Sequence, residues 1–216
     1  MKKTVISLMV MLLAFVNYTN AQDTDSNADF SKWQFRLRGI VVTPDESADI
    51  QAIGGDASIS TAVVPELDIS YFFDENWSVE LILATAKHDV EAVGTAVGDI
   101  DLGHVWLLPP TLTGQYHFTG GDFVPYVGAG LNLTLFYGVD EGPTVDDIDY
   151  DTSIGYALQG GFDFMLNDKW FLNVDVKKLF LSTDATIDAT TALEATVDAD
   201  VDINPWIIGF GVGIKL

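Results

Sequence analysis

The sequence predicts an all-β fold: an eight-stranded antiparallel transmembrane β-barrel with short periplasmic turns and long extracellular loops. Three observations carry this reading. Most of the chain alternates apolar and polar side chains with a period of two. The connections between these runs are alternately short and long, and aromatic residues collect toward both ends of the runs.

Eight runs qualify as strands, at about 32–44, 61–73, 76–88, 104–118, 123–138, 151–166, 169–183 and 203–216. Each exceeds the roughly 9–11 residues that a tilted strand needs to cross a bilayer. The last is the cleanest: Trp206, Ile208, Phe210, Val212, Ile214 and Leu216 alternate with Ile207, Gly209, Gly211, Gly213 and Lys215. Asp74–Asn76, 119–122 and 167–168 are tight turns, whereas 45–60, 89–103, 139–150 and 184–202 are long. Eight strands with seven such connections place both mature termini on the periplasmic side.

Aromatics give an independent check. Trp33, Phe73, Trp77, Phe118, Phe123, Phe164 and Trp170 fall near the short-turn ends, and Trp106, Tyr137, Phe180 and Trp206 near the other. Two belts of amphipathic rings suit two membrane interfaces. A soluble sandwich would alternate as well but has no reason to sort its aromatics.

At the start, Lys2 and Lys3 precede an apolar run, Val5–Val16, and a polar stretch ending Thr19-Asn20-Ala21. This is the layout of a secretory signal peptide, 1–21, leaving 22–216 as the barrel. The apolar run is too short for a membrane helix. Export to the bacterial outer membrane is the expected destination.

Composition narrows the function. Ten Lys+Arg against 32 Asp+Glu give a net charge of −22, which excludes a phosphate-binding, nucleic-acid role. No cysteine is present, so disulfides, thiolate metal sites and thiol nucleophiles are excluded. Hydrophobic residues nevertheless make up 48% of the chain, so charge and apolar surface must be segregated. Twenty of the 32 acids lie in or beside the four long connections, which contain no Lys or Arg. Asp147, Asp149 and Asp151, like Asp198, Asp200 and Asp202, are spaced by two. Neither triplet continues into the Gly and distant Glu of an EF-hand. Solvated loop charge is the plain assignment; weak binding of divalent cations is the alternative, and no metal site or cofactor is assigned.

Facing the interface-anchored positions to lipid sends the alternate positions into the bore. Toward the periplasm these are charged: Arg36, Arg38, Lys177 and Lys215 against Glu66, Asp68, Glu80, Asp163 and Asp175. So narrow a barrel is filled by side chains, and buried charges must pair, so these nine are expected to form a salt-bridged plug, with His117 joining it. A pore lining is the competing assignment. Farther out, Ile40, Val42, Val64, Ile82, Leu107, Phe136, Leu179, Leu181 and Ile207 make an apolar funnel, either ordinary packing or a pocket for small apolar molecules. Pro109 and Pro110 remove two ladder donors from the fourth strand, marking either a lateral opening or a simple bulge.

These residues resemble the OmpW family of eight-stranded outer-membrane proteins. The resemblance runs through Leu108-Pro109-Pro110-Thr111-Leu112, Gln115-Tyr116-His117-Phe118, Pro125-Tyr126-Val127-Gly128-Ala129-Gly130-Leu131-Asn132, Trp170 to Asp175, and Asn204-Pro205-Trp206. It implies a narrow barrel with an apolar upper lumen that passes small hydrophobic compounds and releases them sideways through the wall. The chain departs from the family at Leu216, where a terminal aromatic is usual.

The expected function is therefore a passive channel for small apolar solutes in contact with outer-membrane lipid, with no catalysis. A surface receptor using the acidic loops is the alternative, engaging cations, phage, bacteriocin or a protein partner. An enzyme would need a nucleophile and base, for which His88 and His104 beside the second long loop are the only nearby pair, without a nucleophile motif. No polar stripe interrupts the lipid-facing band, so a monomer is expected.

Overall fold

The computed structural model describes residues 31–216 apart from Ala52; the expected signal peptide, 1–21, lies outside the described residues. The strands are β1 (Trp33–Thr43), β2 (Ser47–Ile50), β3 (Asp56–Ile59), β4 (Ala62–Phe72), β5 (Trp77–Ala84), β6 (Ala86–Thr95), β7 (Gly98–Leu108) and β8 (Thr111–His117). There follow β9 (Phe123–Glu141), β10 (Asp147–Tyr150), β11 (Ser153–Met165), β12 (Trp170–Phe180), β13 (Ser182–Ala189), a helical turn α1 (Thr190–Leu193), β14 (Ala195–Asp202) and β15 (Trp206–Lys215).

Eight strands close the barrel in the order β1-β4-β5-β8-β9-β11-β12-β15, with β15 pairing back to β1 and every neighbour antiparallel. Period two has its expected consequence. Along β1, Leu37 and Val41 face outward while Arg36, Arg38 and Ile40 are buried in the bore. The outward band is apolar, as a lipid-facing surface requires. Trp33, Phe73, Trp77, Phe118, Phe123, Phe164 and Trp170 are all exposed at the short-turn ends. Trp33, Tyr71 and Phe73 meet edge to face there, as do Trp77, Tyr116 and Phe118.

The last strand is glycine-rich for a packing reason. A Cβ at Gly211 would lie 2.1 Å from the Leu37 carbonyl oxygen and 2.8 Å from Arg38 Cγ, and one at Gly213 would overlap the Phe171 ring. Small residues on this wall make room for the large ones opposite.

The four long connections differ from the expectation of solvated loops. They continue as strands beyond the barrel. β6, β7 and the end of β9 extend one wall, with β3 on its edge. β10, β13, β14 and β2 form a separate four-stranded antiparallel sheet, here called the outer sheet. The reason is the same period of two. In Asp147-Ile148-Asp149-Tyr150 and Asp198-Ala199-Asp200-Val201, each aspartate is exposed and the residue between is buried or half-buried. Ile50, Ile148, Ile187, Val197 and Ala199 of the outer sheet pack in one core with Val90, Ala92, Leu102 and Val105 of the facing wall.

Candidate functional site

The bore has two storeys. Nearest the short turns, polar side chains from seven of the barrel strands fill it. Arg36, Arg38 and Lys177 are buried there together with Glu66, Asp68, Glu80, Asp163 and Asp175. Arg36 pairs with Glu80 and, at 3.0 Å, with Asp163, and it donates to Ser70. Arg38 lies 2.7 Å from Asp68, 2.9 Å from Asp175 and 3.4 Å from both Glu66 and Glu80. Lys177 Nζ lies 2.6 Å from Glu66 and 2.9 Å from Asp175. Ions so far from water persist only because each has such partners.

Of the nine residues expected to form this plug, the structure brings eight into one ion-paired network. Lys215 is half-buried at the short-turn edge and makes no ion pair within 4 Å among the described residues. The register explains its position: Lys215 pairs with Gln34, one step outside the Arg36–Asp68 row. His117 is buried within 3.2 Å of Ser78 Oγ and 3.1 Å of Gln115 Oε1, and it stacks on Tyr126.

Two members of the network escaped the sequence reading. Gln159 donates to Glu80 and Asp175 while its carbonyl accepts from Thr113 and Gln115. Tyr126 donates its hydroxyl to Asp175 at 2.7 Å, and Arg36 lies over its ring. The available signal was strand parity. Phe136 and Asp163 were placed inward, and even positions of β9 with odd positions of β11 then include both residues.

Above the plug the character of the bore changes. A cavity of about 90 Å³ presents an almost wholly apolar surface, built mainly from aliphatic side chains. All nine residues expected to form the apolar funnel line it: Ile40, Val42, Val64, Ile82, Leu107, Phe136, Leu179, Leu181 and Ile207. Glu66 and Lys177 form its floor, where they bond to each other. Its upper walls are the inner faces of the outer sheet and of β6 and β7, including Ile50, Ile187, Val201, Val90 and Leu102. These were missed because the segments were taken as loops.

Pro109 also lines the cavity, and both prolines fall between β7 and β8. On one side the wall holds: the Leu133 amide donates to the Pro110 carbonyl, and Asn132 donates to that of Pro109. On the other side β5 pairs with β8 as far as Ile82↔Thr111, and pairing resumes only at Ala86↔Leu107 between β6 and β7. Leu83, Ala84 and Thr85 thus face Leu108, Pro109 and Pro110 without ladder pairs, yet the register on either side is the same. Missing proline N–H groups open the seam without a slip.

The two histidines considered for chemistry do not meet. They sit on the β6–β7 hairpin, but His88 pairs with Val105 and His104 with Asp89, so they occupy opposite faces. His88 is buried toward the cavity, bonded at 2.6 Å to the Ser60 carbonyl, and His104 faces outward, 3.7 Å from Asp140. Among the described residues no three acidic or imidazole side chains converge as a metal site would need.

Comparison with known proteins agrees with this geometry. The OmpW family pattern matches residues 31–216. The chain belongs to the OmpW family. It is 48% identical over 187 residues to outer-membrane protein y4mB of Sinorhizobium fredii, covering 86% of this chain and 80% of that one. It is 32% identical over 168 residues to the dibenzothiophene metabolism operon protein PahQ of Pseudomonas aeruginosa, covering 74% and 78%. Among solved structures it resembles the outer membrane protein OprG of Pseudomonas aeruginosa, with a TM-score of 0.80 and 32% identity over 86% of this chain and 96% of that one. As a member of this family the chain is a bacterial outer-membrane barrel.

Proposed function

We propose that this OmpW-family barrel is a passive conduit for small hydrophobic molecules, which enter the apolar cavity from outside and leave sideways into the bilayer at Pro109 and Pro110. The observation that carries this reading is the continuity of one apolar surface from the cavity to an unpaired seam in the wall, above a floor closed by ion pairs. A molecule in the cavity meets charge below and hydrocarbon-lined wall beside it. Passage through the plug would require breaking buried ion pairs, at a cost of several kcal/mol; lateral exit breaks no ladder bonds. In this arrangement the short turns and both mature chain termini face the periplasm, and the outer sheet faces the exterior. The similarity to a protein named for a dibenzothiophene metabolism operon fits an apolar cargo. No step of the proposed passage requires catalysis.

The test is uptake of a labelled medium-chain alkane by cells expressing the wild-type chain, the Leu181→Lys variant or an empty vector, at equal amounts of folded barrel. Leu181 is buried at the cavity wall, and an ammonium there puts an unpaired charge on the route. Wild-type uptake should exceed the vector and Leu181→Lys should fall to it. Equal uptake by all three would sink the conduit and direct attention to the exposed aspartate face of the outer sheet as a binding surface.

A further inference from the structure

The charges around the cavity say which hydrophobic molecules it takes. Lys177 is the one lysine or arginine among the described lining residues, and its ammonium is already held by Glu66 and Asp175. The plug beneath contains three buried Lys and Arg side chains against five buried carboxylates, so the floor offers a surplus of negative charge. His88, the other basic group on the wall, lies just beyond the outer aromatic belt, and burial holds its imidazole below the ordinary value, which leaves it uncharged at neutral pH. Glu91 is exposed on β6 beside the cavity, and the outer sheet carries aspartates on its solvent face with no lysine or arginine in any of its four strands.

Resting on the conduit reading, we infer that the cavity is selective for uncharged apolar molecules and rejects those bearing an ionised carboxylate. A carboxylate head reaching this space would lose its water and find no free cation to replace it, while the field of the floor and of the aspartates outside opposes it. An alcohol of the same chain length carries no such penalty. Hydrocarbons, alcohols and esters are therefore cargo, and fatty-acid anions are not.

The experiment uses the chain folded in lipid nanodiscs with isotope-labelled isoleucine methyl groups, observed by NMR during titration with hexanol or hexanoate. Ile82, Ile187 and Ile207 report from the floor, the roof and the side wall. At about pH 7, where a free carboxyl is ionised, hexanol should shift these methyls and hexanoate should bind at least about 100-fold more weakly. In Val201→Lys, which sets an unpaired ammonium on the half-buried inner face of the outer sheet, hexanoate should gain binding. Equal binding of hexanol and hexanoate to the wild-type chain would overturn the selectivity and leave the conduit standing. Failure of both to shift any cavity methyl would overturn the cavity as a cargo site, and the selectivity with it.

Discussion

The barrel wall and the outer sheet are built by the same chain with the same period of two, yet their faces are inverted. In β1, Leu37 and Val41 point out while Arg36 and Arg38 point in. In β14, Asp198 and Asp200 point out while Val197 and Ala199 point in. What changes between the two is the outer medium: hydrocarbon around the barrel, water around the outer sheet. Each face matches its medium, and the interior receives whatever alternates with it. In the lower bore Arg36 and Arg38 alternate with lipid-facing Leu37, whereas the apolar cavity begins at Ile40, still beside lipid-facing Val41, and continues up to the outer sheet. The cavity thus spans the level at which the membrane ends, and the proline seam lies at that level, beside Trp106 and Tyr137 of the outer belt.

The two interiors should fail differently. Arg38→Met is the largest expected effect, since it leaves Glu66, Asp68, Glu80 and Asp175 without their shared partner. Removing one side of a buried ion network costs about 3–5 kcal/mol. The urea midpoint of the folded barrel should fall by a corresponding amount, and refolding into lipid should be impaired. A midpoint within error of wild type would mean that the lower bore is hydrated and the plug is not a dry network.

A cavity-lining truncation in the outer sheet, Ile187→Ala, should cost about 2–4 kcal/mol, but locally. Ile187 packs with Val197, Ile148 and Ile50 above the barrel. Every strand of the outer sheet joins its barrel strand through a break: Pro44–Glu46, 151–152, Leu181 and 203–205. The expected result is faster amide exchange in β13 and β14 with an unchanged barrel midpoint, the behaviour of a separate cooperative unit. Should the midpoint fall as far as in Arg38→Met, the two regions unfold as one and the contrast between them is wrong.

The inversion also explains what the sequence disclosed. Barrel strands announced themselves because Leu, Val, Phe and Trp on one face are an unambiguous alternation, and charges between them had to be inside. That logic placed eight plug residues and nine cavity residues from spacing alone. It failed beyond the rim, where Asp-x-Asp-x-Asp looks like solvated loop because aspartate disfavours strands. The intervening Ile148, Tyr150, Ala185, Ile187, Ala199 and Val201 carried the strand signal with the polarity reversed. Lys215 was placed in the plug by parity, which is right about its face, but parity does not say how far along the bore a residue lies.

The smallest expected effect separates two aspartates on one strand of that sheet. Asp184 and Asp188 lie on the exposed face of β13, four residues apart. Asp184 stands opposite Asp200, whose carboxyl shares a hydrogen bond with it and whose charge opposes its own, so its value is raised, with Asp151 adding to the shift. Asp188 accepts from the Thr190 hydroxyl and, at 2.9 Å, from the Thr190 amide where α1 begins, so its value is lowered. The signs follow from linkage. The contribution of Asp184 is present below its unfolded value and is lost as pH rises through its raised folded value. That of Asp188 is present above its unfolded value and is lost as pH falls through its lowered folded value. Carboxyl-carbon NMR should show Asp184 titrating at higher pH than Asp188, with Asp200→Asn drawing Asp184 back toward the ordinary range and leaving Asp188 in place. Both groups face water, so added salt should shrink the Asp184 shift more than that of Asp188, which rests on hydrogen bonds rather than on a like charge. Coincident titration of the two would show that these rows of aspartate are not held in register, and the outer sheet would revert to the loops that its composition first suggested.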